Sequence, residues 1–157
     1  MPDVGTIRML VLFGLLWISG CAGPGTQGGA GSEVDTGLAA DHARRAMAAW
    51  DQGDRETAVE AWRQAVTLNP EDPAAVNNLA LALKEQHRFL EAADLLERAV
   101  ARSPKVAELH YNLAVIAEIY LLDLDKALTH YRVYRDLTMD QDTEVAGWIA
   151  DLERRLE

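Results

Sequence analysis

An all-α fold of stacked helical hairpins is predicted for this chain by three observations. The first is internal repetition: Ala58 and Ala92, Trp62 and Leu96, Ala65 and Ala99, and Pro70 and Pro104 are each 34 residues apart, as are Asn78-Leu79-Ala80 and Asn112-Leu113-Ala114. The second is period, since Val76, Leu79, Ala80 and Leu83 fall at i, i+3, i+4 and i+7, the spacing of one helical face. The third is that no segment alternates apolar and polar residues as a half-buried strand would. Composition agrees: 157 residues, 49% of them apolar, are enough to bury a core and too apolar for a disordered chain.

The elements follow in order from the N-terminus. Met9 to Ile18 is an apolar run of ten residues behind the single base Arg8. That is about half of the ~20 residues a spanning helix needs, so residues 1–20 read as a signal peptide. Ile18-Ser19-Gly20-Cys21 resembles the lipobox of bacterial lipoproteins, which implies that the Cys21 thiol is acylated and becomes the new N-terminus. Ala22 after the cysteine, in place of an Asp retention signal, resembles lipoproteins sorted to the outer membrane, facing the periplasm. Cys21 is the only cysteine, so internal disulfides and multi-cysteine metal centres are excluded. Residues 21–38 are rich in glycine and read as a flexible tether on the order of 20 to 25 Å long.

Residues 39–141 read as three helical hairpins, about 39–72, 73–106 and 107–141. Asp51-Gln52-Gly53-Asp54 supplies the first turn and a helix cap, and Asp72 before Pro73 is an N-cap followed by a first-turn proline. Pro70 and Pro104 close the helices before them. Ala92 to Ala127 and Leu96 to Tyr131 are 35 residues apart, which predicts one extra residue in the loop Leu122 to Asp125. In residues 142–157, Asp142 caps a helix whose Val145, Trp148, Ile149, Leu152 and Leu156 form one stripe, with Arg154 and Arg155 at its C-terminal end. An open helical stack needs such a cover; docking of a partner on Trp148 is the alternative.

The 34-residue period, with Ala-x-x-x-large-x-x-Ala on the second helix and a proline near its end, resembles the tetratricopeptide repeat (TPR). The resemblance spans about residues 39 to 138. Arg45 in the first unit, where the family prefers a large apolar residue, and Tyr134 in the third, in place of a small alanine, depart from the pattern. The resemblance implies that the first helix of each hairpin lines a groove for an extended peptide or a partner helix. Carried over residue by residue, the groove presents Ala43, Asn77 and Tyr111 in one row, Met47, Leu81 and Val115 in a second, and Trp50, Lys84 and Glu118 in a third. Plain core is the alternative reading of Met47 and Trp50.

Arg44, Asn78 and Asn112 occupy a further equivalent position. The two asparagines are suited to an amide ladder along a peptide backbone, or to bonds within the repeats. Some relatives clamp a terminal carboxylate with basic residues; Glu108 and Asn112 stand at the candidate positions here, which disfavours that ligand.

The remaining chemistry is sparse. His42, His87, His110 and His130 show no zinc spacing, and there is no phosphate loop or nucleophile elbow. Neither a metal nor a cofactor is expected, and an enzyme is disfavoured. A formal charge of −10 argues against nucleic acid as a partner. The expected function is a lipid-anchored periplasmic scaffold that binds a peptide or helix of another envelope protein. The alternatives are a pilotin-like assembly factor for a secretion, pilus or energy-transducing complex, and an envelope enzyme or its activator. The oligomeric state is not legible.

Overall fold

The computed structural model describes residues 35–139 and 142–157, so the signal peptide, Cys21 and most of the tether lie outside the described residues. Among the described residues seven α-helices follow one another: α1 Thr36–Asp51, α2 Arg55–Leu68, α3 Pro73–Glu85, α4 Phe89–Arg102, α5 Ala107–Ile116, α6 Leu124–Leu137 and α7 Thr143–Leu156. Among the described residues there is no strand, and no helix is long and apolar enough to cross a membrane. The predicted all-α solenoid is the fold observed.

Aspartates start most of the helices. Asp35, Asp54, Asp72, Asp123 and Asp142 accept backbone N–H bonds at the first turns of α1, α2, α3, α6 and α7. Each such cap is worth about 1 kcal/mol. Asp35 also corrects the tether, because its Oδ1 takes the Leu38 N–H at 2.9 Å and residues 36–38 are helix rather than linker.

Successive hairpins interlock through small residues. Ala46, Ala80 and Ala114 on the inner helices and Ala58, Ala92 and Ala127 on the outer ones are all fully buried, where a missing side chain lets helices approach closely. Around them pack Trp62, Leu79, Leu83, Leu96, Leu109, Leu113 and Ile116 in one cluster. A second cluster, with Ala117, Leu128, Tyr131, Val145, Ile149 and Leu152, joins α5 and α6 to α7. Burying each large aliphatic side chain contributes about 1.5–3 kcal/mol. Ion pairs across elements, such as Lys126 with Glu97 at 2.7 Å and Arg132 with Glu153 at 2.7 Å, are half-exposed and add at most about 1 kcal/mol each.

Both departures from the repeat pattern have packing counterparts. Arg45 is exposed, and the first hairpin fills its core instead with the Trp50 and Trp62 rings, 5.5 Å between centroids. Tyr134 reaches α7, where its hydroxyl donates to the capping carboxylate of Asp142 at 3.2 Å and its ring lies 5.1 Å from that of Tyr111. Leu156, placed on the buried stripe by the sequence, is 38% exposed, at the last residue of α7.

The extra residue of the third hairpin is not in the loop. Gly53, His87 and Leu122 are the left-handed residues that end the first helix of each hairpin, with φ of 83°, 60° and 56°. The spacing lengthens from 34 to 35 residues before Leu122, where Ala117–Leu121 forms one π-helical turn. A wider turn absorbs an insertion without rotating the helix after it. Leu122 is 74% exposed, and a side chain in the left-handed region costs about 1–2 kcal/mol. Leu122→Gly is therefore expected to raise stability by up to about 1 kcal/mol after glycine's greater unfolded-state entropy is subtracted. Gly53→Ala is expected to lower it by a similar amount, both read as shifts in the urea midpoint.

Candidate functional site

The first helices of the hairpins present a common inner face, on which two cavities open side by side. The larger, about 400 Å³, lies between α1 and α3 and is lined by Met47, Trp50, Asp51, Trp62, Asn78, Leu81, Lys84 and Glu85. The smaller, about 290 Å³, lies between α3 and α5 and is lined by Pro73, Ala74, Asn77, Asn78, Val106, Glu108 and Leu109. Asn78 borders both. Trp50 belongs partly to the core, and its other neighbour is the Arg55 guanidinium, 3.7 Å from the ring centroid. Met47 is 54% exposed and therefore not core.

The twelve groove positions separate into two groups. Met47, Trp50, Asn78, Leu81 and Lys84 meet at the larger cavity, and Asn77 at the smaller. Tyr111 and Val115 instead pack into the cluster that α7 closes, with Trp148 6.2 Å from the Tyr111 ring. Glu118 accepts from the Tyr131 hydroxyl at 3.2 Å and from Arg155 at 3.3 Å. Arg44 is exposed and paired with Asp41, and Ala43 is half-buried beside neither cavity.

The asparagine pair is also redrawn. Asn112 Nδ2 donates to Asn77 Oδ1 at 2.7 Å across α3 and α5, so the inter-repeat amide bond joins residues 35 apart in sequence. Neighbouring helices present successive residues at slightly different heights, and Asn77 is the one level with Asn112. Asn78 makes no side-chain bond of its own in that pair and faces the cavities.

Sequence reasoning missed the histidine pair in the third hairpin. His110 Nε2 lies 3.1 Å from the Pro104 carbonyl, which makes that nitrogen the donor. Its Nδ1 is then the acceptor for the Nδ1–H of His130, 2.9 Å away. A separation of 20 residues carries no signal of this contact; only packing of α5 on α6 creates it. Burial pushes both imidazoles below their ordinary value of 6.5, and for His130 the neighbouring His110 adds to the effect while Glu97 opposes it. The unfolded chain therefore takes up protons that the folded chain refuses. Stability is expected to be complete above about pH 6.5 and to fall as the pH drops below it, and His130→Asn is expected to flatten that slope in melts between pH 7.5 and 5. No group of three or more metal-ligating side chains occurs among the described residues.

Fold and inner face together define a helical-hairpin solenoid with an open ligand-sized groove. The "TPR repeat" family matches residues 50–87 and the "Tetratricopeptide repeat" family residues 77–142. The chain is a tetratricopeptide-repeat protein. Similar solved structures include the first TPR of Spaghetti (RPAP3) bound to the HSP90 peptide SRMEEVD, at 19% identity and a TM-score of 0.71 over 80% of this chain and 98% of that one. The N-terminal domain of stress-induced protein-1 from C. elegans superposes at 22% identity and 0.66, covering 75% of this chain and 96% of that one. The TPR2B domain of yeast Sti1, in a complex with pHsp70, does so at 19% and 0.65, covering 75% and 98%. Among curated proteins, Protein O-mannosyl-transferase Tmtc2 of Drosophila melanogaster is 37% identical over 51 residues, which is 32% of this chain and 5% of that protein.

Proposed function

We propose that this protein is a non-catalytic scaffold, anchored by lipid on Cys21 to the bacterial outer membrane and facing the periplasm, which holds a segment of another envelope protein in its inner groove. The observation that carries the binding role is the pair of adjoining cavities on the inner helices, apolar at their floors and bordered by the Asn78 amide, which has no side-chain hydrogen bond among the described residues. Support for the ligand class comes from the solved TPR domains of the same fold, two of which are described as complexes with an HSP90 peptide and with pHsp70. The anchor rests on Ile18-Ser19-Gly20-Cys21. Attached this way, the protein needs no spanning helix, since several acyl chains at about 0.8 kcal/mol per buried methylene hold it.

A photo-crosslinking residue at Leu81, in the groove, and at Asp94, exposed on α4, separates groove binding from general stickiness. The expected result in intact cells is a discrete adduct from position 81 and none from position 94. Equal adducts from both positions would remove the groove from the function. For the anchor, Cys21→Ser is expected to abolish incorporation of a fatty-acid analogue and to leave unprocessed precursor; normal labelling of that variant would refute lipidation.

A further inference from the structure

Charge and spacing along the inner face narrow the kind of segment the groove accepts. Asp51 at the larger cavity and Glu108 at the smaller make no ion pair among the described residues. Glu85 is balanced by Arg55 at 3.4 Å, which leaves Lys84 as the one base lining either cavity. Further along, Asp142 and Glu144 both raise the Tyr111 hydroxyl's affinity for its proton, an effect second to burial, so the α5–α7 end of the face is also negative. A chain of net charge −10 adds to this field at longer range. A terminal or side-chain carboxylate in the groove would face repulsion rather than a clamp.

Spacing adds a second restriction. The two cavities meet at Asn78 but lie toward opposite ends of α3, the larger at Leu81, Lys84 and Glu85 and the smaller at Pro73, Ala74 and Asn77, so a segment that fills both runs obliquely across the inner face. An extended chain covers such a path in few residues, at about 3.1 Å per residue in polyproline II or about 3.3 Å in a strand. The cavity with Trp50, Trp62 and Leu81 takes a large apolar or aromatic side chain, and the smaller one a compact aliphatic. Between them Asn78 is placed to bond the backbone of the connecting residues.

We propose that the groove selects an internal, extended segment with two apolar side chains and Lys or Arg beside them, the basic residues answering Asp51 and Glu108. This rests on the groove being the binding site, and the two ideas fail differently. The test is selection from a random dodecapeptide display library, with both peptide ends embedded in the display protein, on the full-length chain in detergent micelles. Enrichment of peptides that combine two apolar residues with Lys or Arg, together with a switch toward Asp and Glu on the double variant Asp51→Lys with Glu108→Lys, is the expected result. Both residues are exposed, so circular dichroism of that variant should be unchanged. Affinity of an enriched peptide for the wild-type chain should also fall several-fold from 50 to 500 mM NaCl. Enrichment of acidic or charge-neutral peptides that is lost on Trp50→Ala would overturn the proposed chemistry and keep the groove. Enrichment indifferent to Trp50→Ala, or none at all, would overturn both.

Discussion

Deleting residues 142–157 is expected to unfold the third hairpin while leaving α1 to α4 folded. Val145, Ile149 and Leu152 are almost wholly buried, and they cover Tyr131, Leu128 and Ala127 on α6. At about 1.5–3 kcal/mol for each large aliphatic, the loss is at least about 5 kcal/mol before the newly exposed face of α6 is counted. That is comparable to the whole stability of a small domain, about 5–15 kcal/mol. The Tyr134 to Asp142 bond and the Arg132 to Glu153 pair go as well. Because the stack is held by neighbour contacts, the damage should stay local. Hydrogen exchange is the measurement: amides of α5 and α6 should lose protection, and those of α2 to α4 should keep most of theirs. Unchanged protection in α6 would show that α7 is dispensable to the stack.

The second large effect is expected at Trp62. It is 4% exposed, packs against Trp50 and forms part of the floor of the larger cavity. Trp62→Ala should cost about 3–5 kcal/mol in the urea midpoint, the range for deleting a buried aromatic ring. It should also weaken peptide capture, because the cavity loses its floor. Trp62→Phe is a sharper comparison. The indole Nε1–H is buried with no acceptor among the described residues, so removing it relieves an unpaired donor while keeping most of the apolar contact. A change within about 1.5 kcal/mol is expected for Phe; a loss equal to that of Ala would mean the nitrogen has a structural partner.

Much of the site was legible and some was not, for identifiable reasons. Met47, Trp50, Asn78, Leu81 and Lys84 share a cavity because equivalent positions of tandem hairpins must recur along one face. Tyr111, Val115 and Glu118 occupy equivalent positions too, yet they serve the joint with α7. Repetition specifies where a residue lies on its own helix, and it is silent about which neighbour reaches it. The third hairpin is followed by α7, so its inner face meets that helix in addition to whatever the groove holds.

The sequence by itself determined the elements: a 34-residue lag, helical period, Asp caps and closing prolines act over a few neighbouring residues, and they specify helices and hairpins wherever they occur. Tertiary structure alone decided three matters that depend on residues far apart in the chain. It placed the thirty-fifth residue in a π-helical turn, where Ala117–Leu121 can widen without misaligning α6. It paired Asn112 with Asn77 rather than Asn78, through the relative height of α3 and α5. It brought His110 and His130 to 2.9 Å, making a part-buried pair of two residues that local pattern leaves unremarkable. The physical reason is common to all three: hydrogen bonds and packing between helices depend on fractions of an ångström in axial offset, which no periodicity of residue types encodes.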